Sequence, residues 1–127
     1  MKKLLFFILI TTFVFVSGVF ADTSVNRIAI ATDIVDREPA GVSETFSANV
    51  GKIYCFTEIV TDKYPTKVVH IWLYDNNIIA EVPLQVNSNK WRTYSSKRIL
   101  PNWEGEWKVE VYAEDGKLIG SKSFTVK

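Results

Sequence analysis

Thr66-Lys67-Val68-Val69-His70-Ile71-Trp72-Leu73-Tyr74 runs into Asp75-Asn76-Asn77, and Ile78 to Val86 follows. Nine residues so rich in β-branched and aromatic side chains predict a strand. Asp and Asn tolerate the left-handed backbone that a tight hairpin demands, so the chain reverses at Asp75-Asn76-Asn77. The returning run contains Pro83, which has no donor for a ladder and places that strand at a sheet edge.

The same period of two extends outward from this hairpin. Upstream, Ile28, Ile30, Thr32 and Ile34 alternate with Arg27, Ala29, Ala31 and Asp33 to give a first strand. Asp36–Ala48, with Pro39 and Gly41, reads as a long connection, and Gly51 opens a second strand that runs through Val60. Downstream, Asn87-Ser88-Asn89 turns into a polar strand, Lys90–Arg98, and Pro101–Gly105 forms a loop. Trp107, Val109 and Val111 then alternate with Lys108, Glu110 and Tyr112, and Asp115-Gly116 turns the chain into a last strand, Lys117–Val126. Seven short strands with a turn about every ten residues predict an all-β fold, specifically an immunoglobulin-like antiparallel β-sandwich.

The chain has 127 residues, 47% hydrophobic and 23% charged, which suits one globular domain. Its apolar residues are concentrated at the start: residues 4–21 carry no charge and hold Phe6, Phe7, Phe13, Phe15 and Phe20. Lys2 and Lys3 precede the run Leu4–Val16, Ser17-Gly18 loosen it, and Val19-Phe20-Ala21 put small residues at −3 and −1 before Asp22. This pattern predicts a hydrophobic signal helix over 1–21, a single domain over 22–127, and export to the periplasm or the extracellular space. Retained instead of cut, the same segment approaches the roughly 20 residues that span a bilayer, and would be the only membrane contact. Its flanking lysines leave Asp22–Lys127 outside in either case. Without Lys2 and Lys3, 13 Lys+Arg stand against 14 Asp+Glu, so the domain lacks the basic footprint of a nucleic-acid binder. One His and one Cys leave little material for a metal or a cofactor, and none is expected. Cys55, among Ile53, Tyr54 and Phe56, reads as a buried and inert thiol.

Three places carry side chains suited to binding. On the strand Thr66–Tyr74, Val69, Ile71 and Leu73 point one way, and His70, Trp72 and Tyr74 the other. With the aliphatic set facing the core, His70, Trp72 and Tyr74 form an outward row about 7 Å apart, suited to stacking on sugar rings or anchoring a protein. The competing reading makes Trp72 the core tryptophan found on the equivalent strand of immunoglobulin-like folds, and it carries slightly more weight. A strand taken alone does not declare its inward face.

On Lys90–Arg98, Trp91, Thr93 and Ser95 alternate with Arg92, Tyr94 and Ser96, so neither face is apolar. Arg92 is suited to clamp a carboxylate or phosphate, and with Lys90, Lys97 and Arg98 it makes this the most basic stretch of the domain. The bland counterpart is a solvated edge strand whose charges discourage pairing. Trp103, on the loop after Pro101, joins a binding rim or, with Trp107, plugs the end of the sandwich. Arg37 is expected to pair with a carboxylate and fix the first connection. Catalysis is not expected: His70 is the single imidazole, Cys55 points inward, and the carboxylates Glu104 and Glu106 have no cleft-forming insertion around them.

Arg37-Glu38-Pro39, Val50–Phe56, His70-Ile71-Trp72, Lys90–Lys97 and Trp103–Val111 occur in an order and spacing that resemble the bacterial domain of unknown function 2914 family, from about Arg37 to the C-terminus. The resemblance implies an exported or envelope-attached protein with one small β domain, and it brings no activity and no catalytic motif. The combined expectation is a monomeric, non-catalytic interaction module of the bacterial cell envelope. It would bind a protein partner through the basic strand and neighbouring aromatics. The alternative is a carbohydrate-binding module that uses Trp72 and Tyr74 with Trp91 or Trp103 on an envelope glycan.

Overall fold

The computed structural model describes residues 22–127, so the signal expected over 1–21 lies outside the described residues. Every regular element described is a strand: β1 (Thr23–Ala31), β2 (Asp33–Val35), β3 (Glu38–Ala40), β4 (Thr45–Phe46), β5 (Lys52–Thr61), β6 (Thr66–Tyr74), β7 (Asn77–Val86), β8 (Lys90–Arg98), β9 (Gly105–Ala113) and β10 (Leu118–Val126). Six of the seven long strands fall where the alternation places them; β1 begins four residues before the expected Arg27 and stops at Ala31, short of Ile34. The three short ones occupy the end of the first expected strand and the connection after it.

These strands form a three-stranded sheet, β1-β5-β8, a five-stranded sheet, β4-β10-β9-β6-β7, and the small hairpin β2-β3. All pairings are antiparallel except that of β4 with β10. One core cluster joins Ile30, Ile53 and Cys55 of the first sheet to Phe46, Trp72, Trp107, Val109, Phe124 and Val126 of the second. The two larger sheets therefore pack on each other. Pro83 lies on β7 at the edge of its sheet, where a missing donor is tolerated. Asp75 and Asn76 take φ of 52° and 64° and close the β6–β7 turn.

The inward face of β6 is the reverse of the aliphatic expectation. Thr66, Val68, His70 and Trp72 are buried, whereas Val69 and Ile71 are half-buried on the other side. A register shift between Trp72 and Leu73 buries both of those residues in succession. Two physical reasons turn the strand this way. Trp72 removes more apolar surface from water than any aliphatic residue beside it. The polar atoms that go inside with it all find partners.

Those partners form one directional chain across the core. Trp72 Nε1 donates to Ser95 Oγ at 3.0 Å, and Ser95 Oγ lies 2.7 Å from His70 Nδ1. His70 Nε2 lies 3.1 Å from Thr57 Oγ1, which donates to the Thr93 carbonyl at 3.5 Å. Because Thr57 sends its proton to Thr93, Nε2–H donates to Thr57 and the Ser95 hydroxyl donates to Nδ1. The neutral imidazole with its proton on Nε2 is the tautomer that completes the set. His70 and Trp72 stand on β6 while Thr57, Thr93 and Ser95 stand on β5 and β8, so the chain ties one sheet to the other.

Burial holds the His70 imidazole neutral and pushes its pKa down from 6.5 to about 4. Below about pH 6.5 the unfolded chain takes up a proton that the folded chain refuses until about pH 4, so stability falls as the pH drops through that window. The loss reaches about 3 kcal/mol. Urea midpoints measured stepwise from pH 7 to pH 4 are expected to show this slope, and His70→Gln, although less stable, is expected to lack it. The imidazole C2–H resonance of the native protein provides an independent check, since it should not titrate until the pH approaches 4.

Candidate functional site

On β5, Ile53, Cys55, Thr57 and Ile59 face the core, so Tyr54, Phe56 and Glu58 look out from the opposite face of the three-stranded sheet. Phe56 is nevertheless only 1% exposed. Its cover is the Arg27 guanidinium, 4.9 Å above the ring, together with the β2-β3 hairpin, whose Ile34 and Arg37 line a cavity floored by Phe56. The hairpin acts as a flap over the outer face of this sheet.

Glu38 fastens the flap. Arg27 donates from both terminal nitrogens to Glu38, at 3.0 Å to Oε1 and 2.8 Å to Oε2, and Arg92 Nη1 donates to the same Oε2. The hydrogen bonds from Arg27, then those from Arg92, hold the Glu38 carboxyl down at about 2. A carboxylate with so low a pKa stays charged at any ordinary pH, so the strap does not titrate open. Arg27 also reaches Glu58 Oε1, which accepts from Asn26 Nδ2 at 2.8 Å.

Two adjoining cavities flank the strap, and Arg37 and Arg92 line both. One, about 430 Å³, is bounded by Glu58, Ser88, Lys90 and Trp91 as well. The other, about 190 Å³, adds Ile34, Phe56, Thr93 and Tyr94. Tyr94 is 49% exposed and meets Tyr54 edge-on at 5.9 Å, and Lys52 stands 5.7 Å from the Tyr54 ring. The surface is thus a cationic rim above an apolar floor, set along β8.

The six residues expected to bind separate into three places. His70 and Trp72 have no exposed surface, so the expected outward row of His70, Trp72 and Tyr74 does not exist, and a sugar-stacking platform on β6 goes with it. Tyr74 and Trp103 stack at 6.0 Å, and Trp107 lies 4.8 Å from Tyr74. The Tyr74 hydroxyl donates to the Glu104 carbonyl, Trp107 Nε1 donates to the Trp103 carbonyl, and Lys97 covers the Trp103 ring at 5.1 Å. These aromatics plug one end of the sandwich. Gly105, at φ 131°, lets the loop close against the Tyr74 ring. Trp91 and Arg92 alone meet at a common cavity.

Arg37 does not play its expected part, since the carboxylate pairing in the connection belongs to its neighbour Glu38, and Arg37 has no ion-pair partner among the described residues. Glu38, Arg27, Phe56 and Tyr54 escaped the sequence reading as site residues. The outward alternation of Lys90, Arg92, Tyr94, Ser96 and Arg98 along β8 was the signal that pointed toward them. Cys55 is fully buried, and desolvation pushes its thiol well above the usual range. Among the described residues, no group of three or more His, Cys, Asp or Glu is placed to hold a metal ion.

Residues 65–126, from the turn before β6 to the end of β10, match the family described as Protein of unknown function (DUF2914). Over these residues, just under half of the chain, it resembles the DUF2914 family. No curated protein matches the sequence. The family segment includes Trp91, Arg92 and Tyr94, whereas Arg37, Glu38 and the block Val50–Phe56 precede it.

Removing the charge of Glu38 should free the flap without unfolding the domain. In Glu38→Gln, trypsin cleavage after Arg37 is expected to be roughly fivefold faster, with the main thermal transition little changed. A cleavage rate equal to that of the parent protein would show that the hairpin is held by other contacts.

Proposed function

We propose that the protein is a non-catalytic interaction module of the bacterial cell envelope, and that it binds a protein partner through β8 and the flap beside it. The observation that carries this reading is the pair Arg37 and Arg92, set between two adjoining cavities over the buried Phe56 and beside the exposed Tyr94. Aromatic and arginine side chains around a partly covered apolar floor are the composition of interface centres.

The finer fold reading is an immunoglobulin-like sandwich, exported and monomeric. The strand order supports the fold: β1, β5 and β8 in one sheet, β10, β9, β6 and β7 in the other, and a short β4 running parallel to β10. Trp72 on β6 takes the position of the core tryptophan of such folds, in one cluster with Cys55 of β5 and Val109 of β9. Export rests on the pattern Lys2-Lys3, Leu4–Val16 and Val19-Phe20-Ala21. A non-catalytic role is supported by the chain's one imidazole, neutral and with both nitrogens engaged inside the core.

Site-specific photocrosslinking in intact cells tests the reading. A photoreactive residue at position 94 is expected to give one discrete protein adduct that weakens in Arg37→Gln. The same residue at exposed position 121, on the other sheet, is expected to give none. Equal adducts from both positions, or none from position 94, would retire the proposal.

A further inference from the structure

Building on the partner-binding reading above, we propose that the partner offers an extended acidic segment that adds as a fourth strand to the free edge of β8. Its carboxylates sit on Arg37 and Arg92, and one apolar side chain enters the cavity floored by Phe56.

The main chain provides the first argument. β8 ends the sheet β1-β5-β8, with nine successive residues paired to β5 and no register shift. The bonds from Thr61 N–H to the Asn89 carbonyl and from Ile99 N–H to the Gly51 carbonyl bracket that pairing. Odd-numbered residues of β8 therefore turn their backbone groups toward β5, and Arg92, Tyr94 and Ser96 turn theirs toward the open edge. Among the described residues, none of Trp91–Arg98 makes a backbone–backbone hydrogen bond outside the sheet pairing.

The other edges are less available. β7 carries Pro83, β4 has two residues, and β1 is bulged between Val25 and Arg27, with Val25 lying against Gly120 of β10. Prolines, short strands and bulges are the usual means of blunting an edge. β8 has none of them and is guarded only by charge. That charge excludes a second copy of the same edge and favours an acidic strand.

The second argument is that a carboxylate already occupies part of this surface. Glu38 of the flap sits on Arg92, which shows that the Arg92 guanidinium accepts a carboxylate in this setting. Arg37 beside it lines both cavities and has no such partner among the described residues. It also stands at φ 64°, following Asp36 at 52°. The β6–β7 turn takes the same two values, but with Asn76 in the second place, a residue that tolerates them. An arginine held in that conformation, with its side chain on the cavity rim, is placed for an anion. Side chains of an added strand recur on one face about every 7 Å, which suits cavities that follow β8 from Lys90 to Tyr94.

The test uses the protein as an expressing cell releases it, isotopically labelled, and three blocked heptapeptides. One carries Glu, Val and Glu at its second, fourth and sixth positions, so that all three share one face, with Thr between them; the second replaces Glu with Gln, and the third is this Glu–Val peptide N-methylated at alternate main-chain nitrogens. The Glu–Val peptide is expected to bind, to shift the amides of Arg92, Tyr94 and Ser96, and to weaken as salt is raised. Binding is expected to fall about tenfold in Arg37→Gln and with the Gln peptide, and to be lost with the N-methylated one. Arg37 makes no structural ion pair, so this variant keeps the flap strapped by Glu38. Equal binding of the N-methylated peptide would overturn strand addition, and equal binding of the Gln peptide would overturn acidic recognition. No saturation by about 1 mM overturns the proposal as a whole. Concentration-dependent self-association through the same amides would also overturn it, with a second copy as the occupant. An adduct from position 94 without peptide binding leaves the partner-binding reading standing and removes only this one, whereas loss of both removes both.

Discussion

The chain of hydrogen bonds from Trp72 through Ser95, His70 and Thr57 to the Thr93 carbonyl constrains the rest of the structure. A sandwich core is otherwise indifferent to small slides of one sheet over the other, because apolar contact is not directional. Four buried polar groups that satisfy one another are directional. Leaving any one of them unpaired costs about 1–3 kcal/mol, so each must keep its place on its strand. No buried side-chain donor or acceptor among the described residues lacks a partner. His70 is also a better centre for this chain than a second hydroxyl would be. Its two nitrogens lie on opposite sides of the ring and reach β5 and β8 at once.

The orientation of the outer surface follows from that core. Ser95 must point inward to meet His70 and Trp72, so its neighbours Tyr94 and Ser96 point outward, with Arg92 in the same row. Thr57 must point inward to meet His70, which sends Phe56 and Glu58 to the outer face of β5. A phenylalanine there would meet water were it not covered, and the β2-β3 flap with Arg27 supplies the cover. A slip of one residue along β8 would break the core chain and turn Arg92 and Tyr94 inward together. Core and candidate surface are set by one register.

The legibility of these features in the sequence depended on range. Thr66–Tyr74 and Lys90–Arg98 were readable to the residue, because alternation, β-branching and Asn- or Asp-rich turns are local signals. The inward face of β6 was not. Aliphatic Val69, Ile71 and Leu73 competed with a core Trp72 that carried only slightly more weight, and the partners that decide for Trp72 and His70 lie 13 and 25 residues from His70. The flap was missed because strands of three residues have no period to detect, and Asp36-Arg37 lacks the Gly or Asn that marks its turn. Arg92 was legible as a clamp, since a basic residue on a polar strand advertises itself. Its carboxylate was not, because Glu38 is 54 residues away and reaches Arg92 only after the flap has folded over the sheet.

The flap also accounts for the position of Arg37. Backbone in the left-handed region costs an arginine of order 1–2 kcal/mol, and a three-residue hairpin alone has too few contacts to offset it. Here the residue immediately after the turn is Glu38, gripped by arginines from β1 and β8. A doubly held carboxylate fixes the chain one bond beyond Arg37, which leaves Arg37 little freedom to relax. Both cavities then share an arginine that the structure has positioned but not paired. Two arginines seven strands apart in sequence order, one from β1 and one from β8, converge on a single side chain of the flap, and that convergence turns an exposed sheet face into a shaped one. Without Glu38 the same residues would form a flat, positively charged face with Phe56 open to water. With Glu38 in place they form a groove beside an unpaired strand edge.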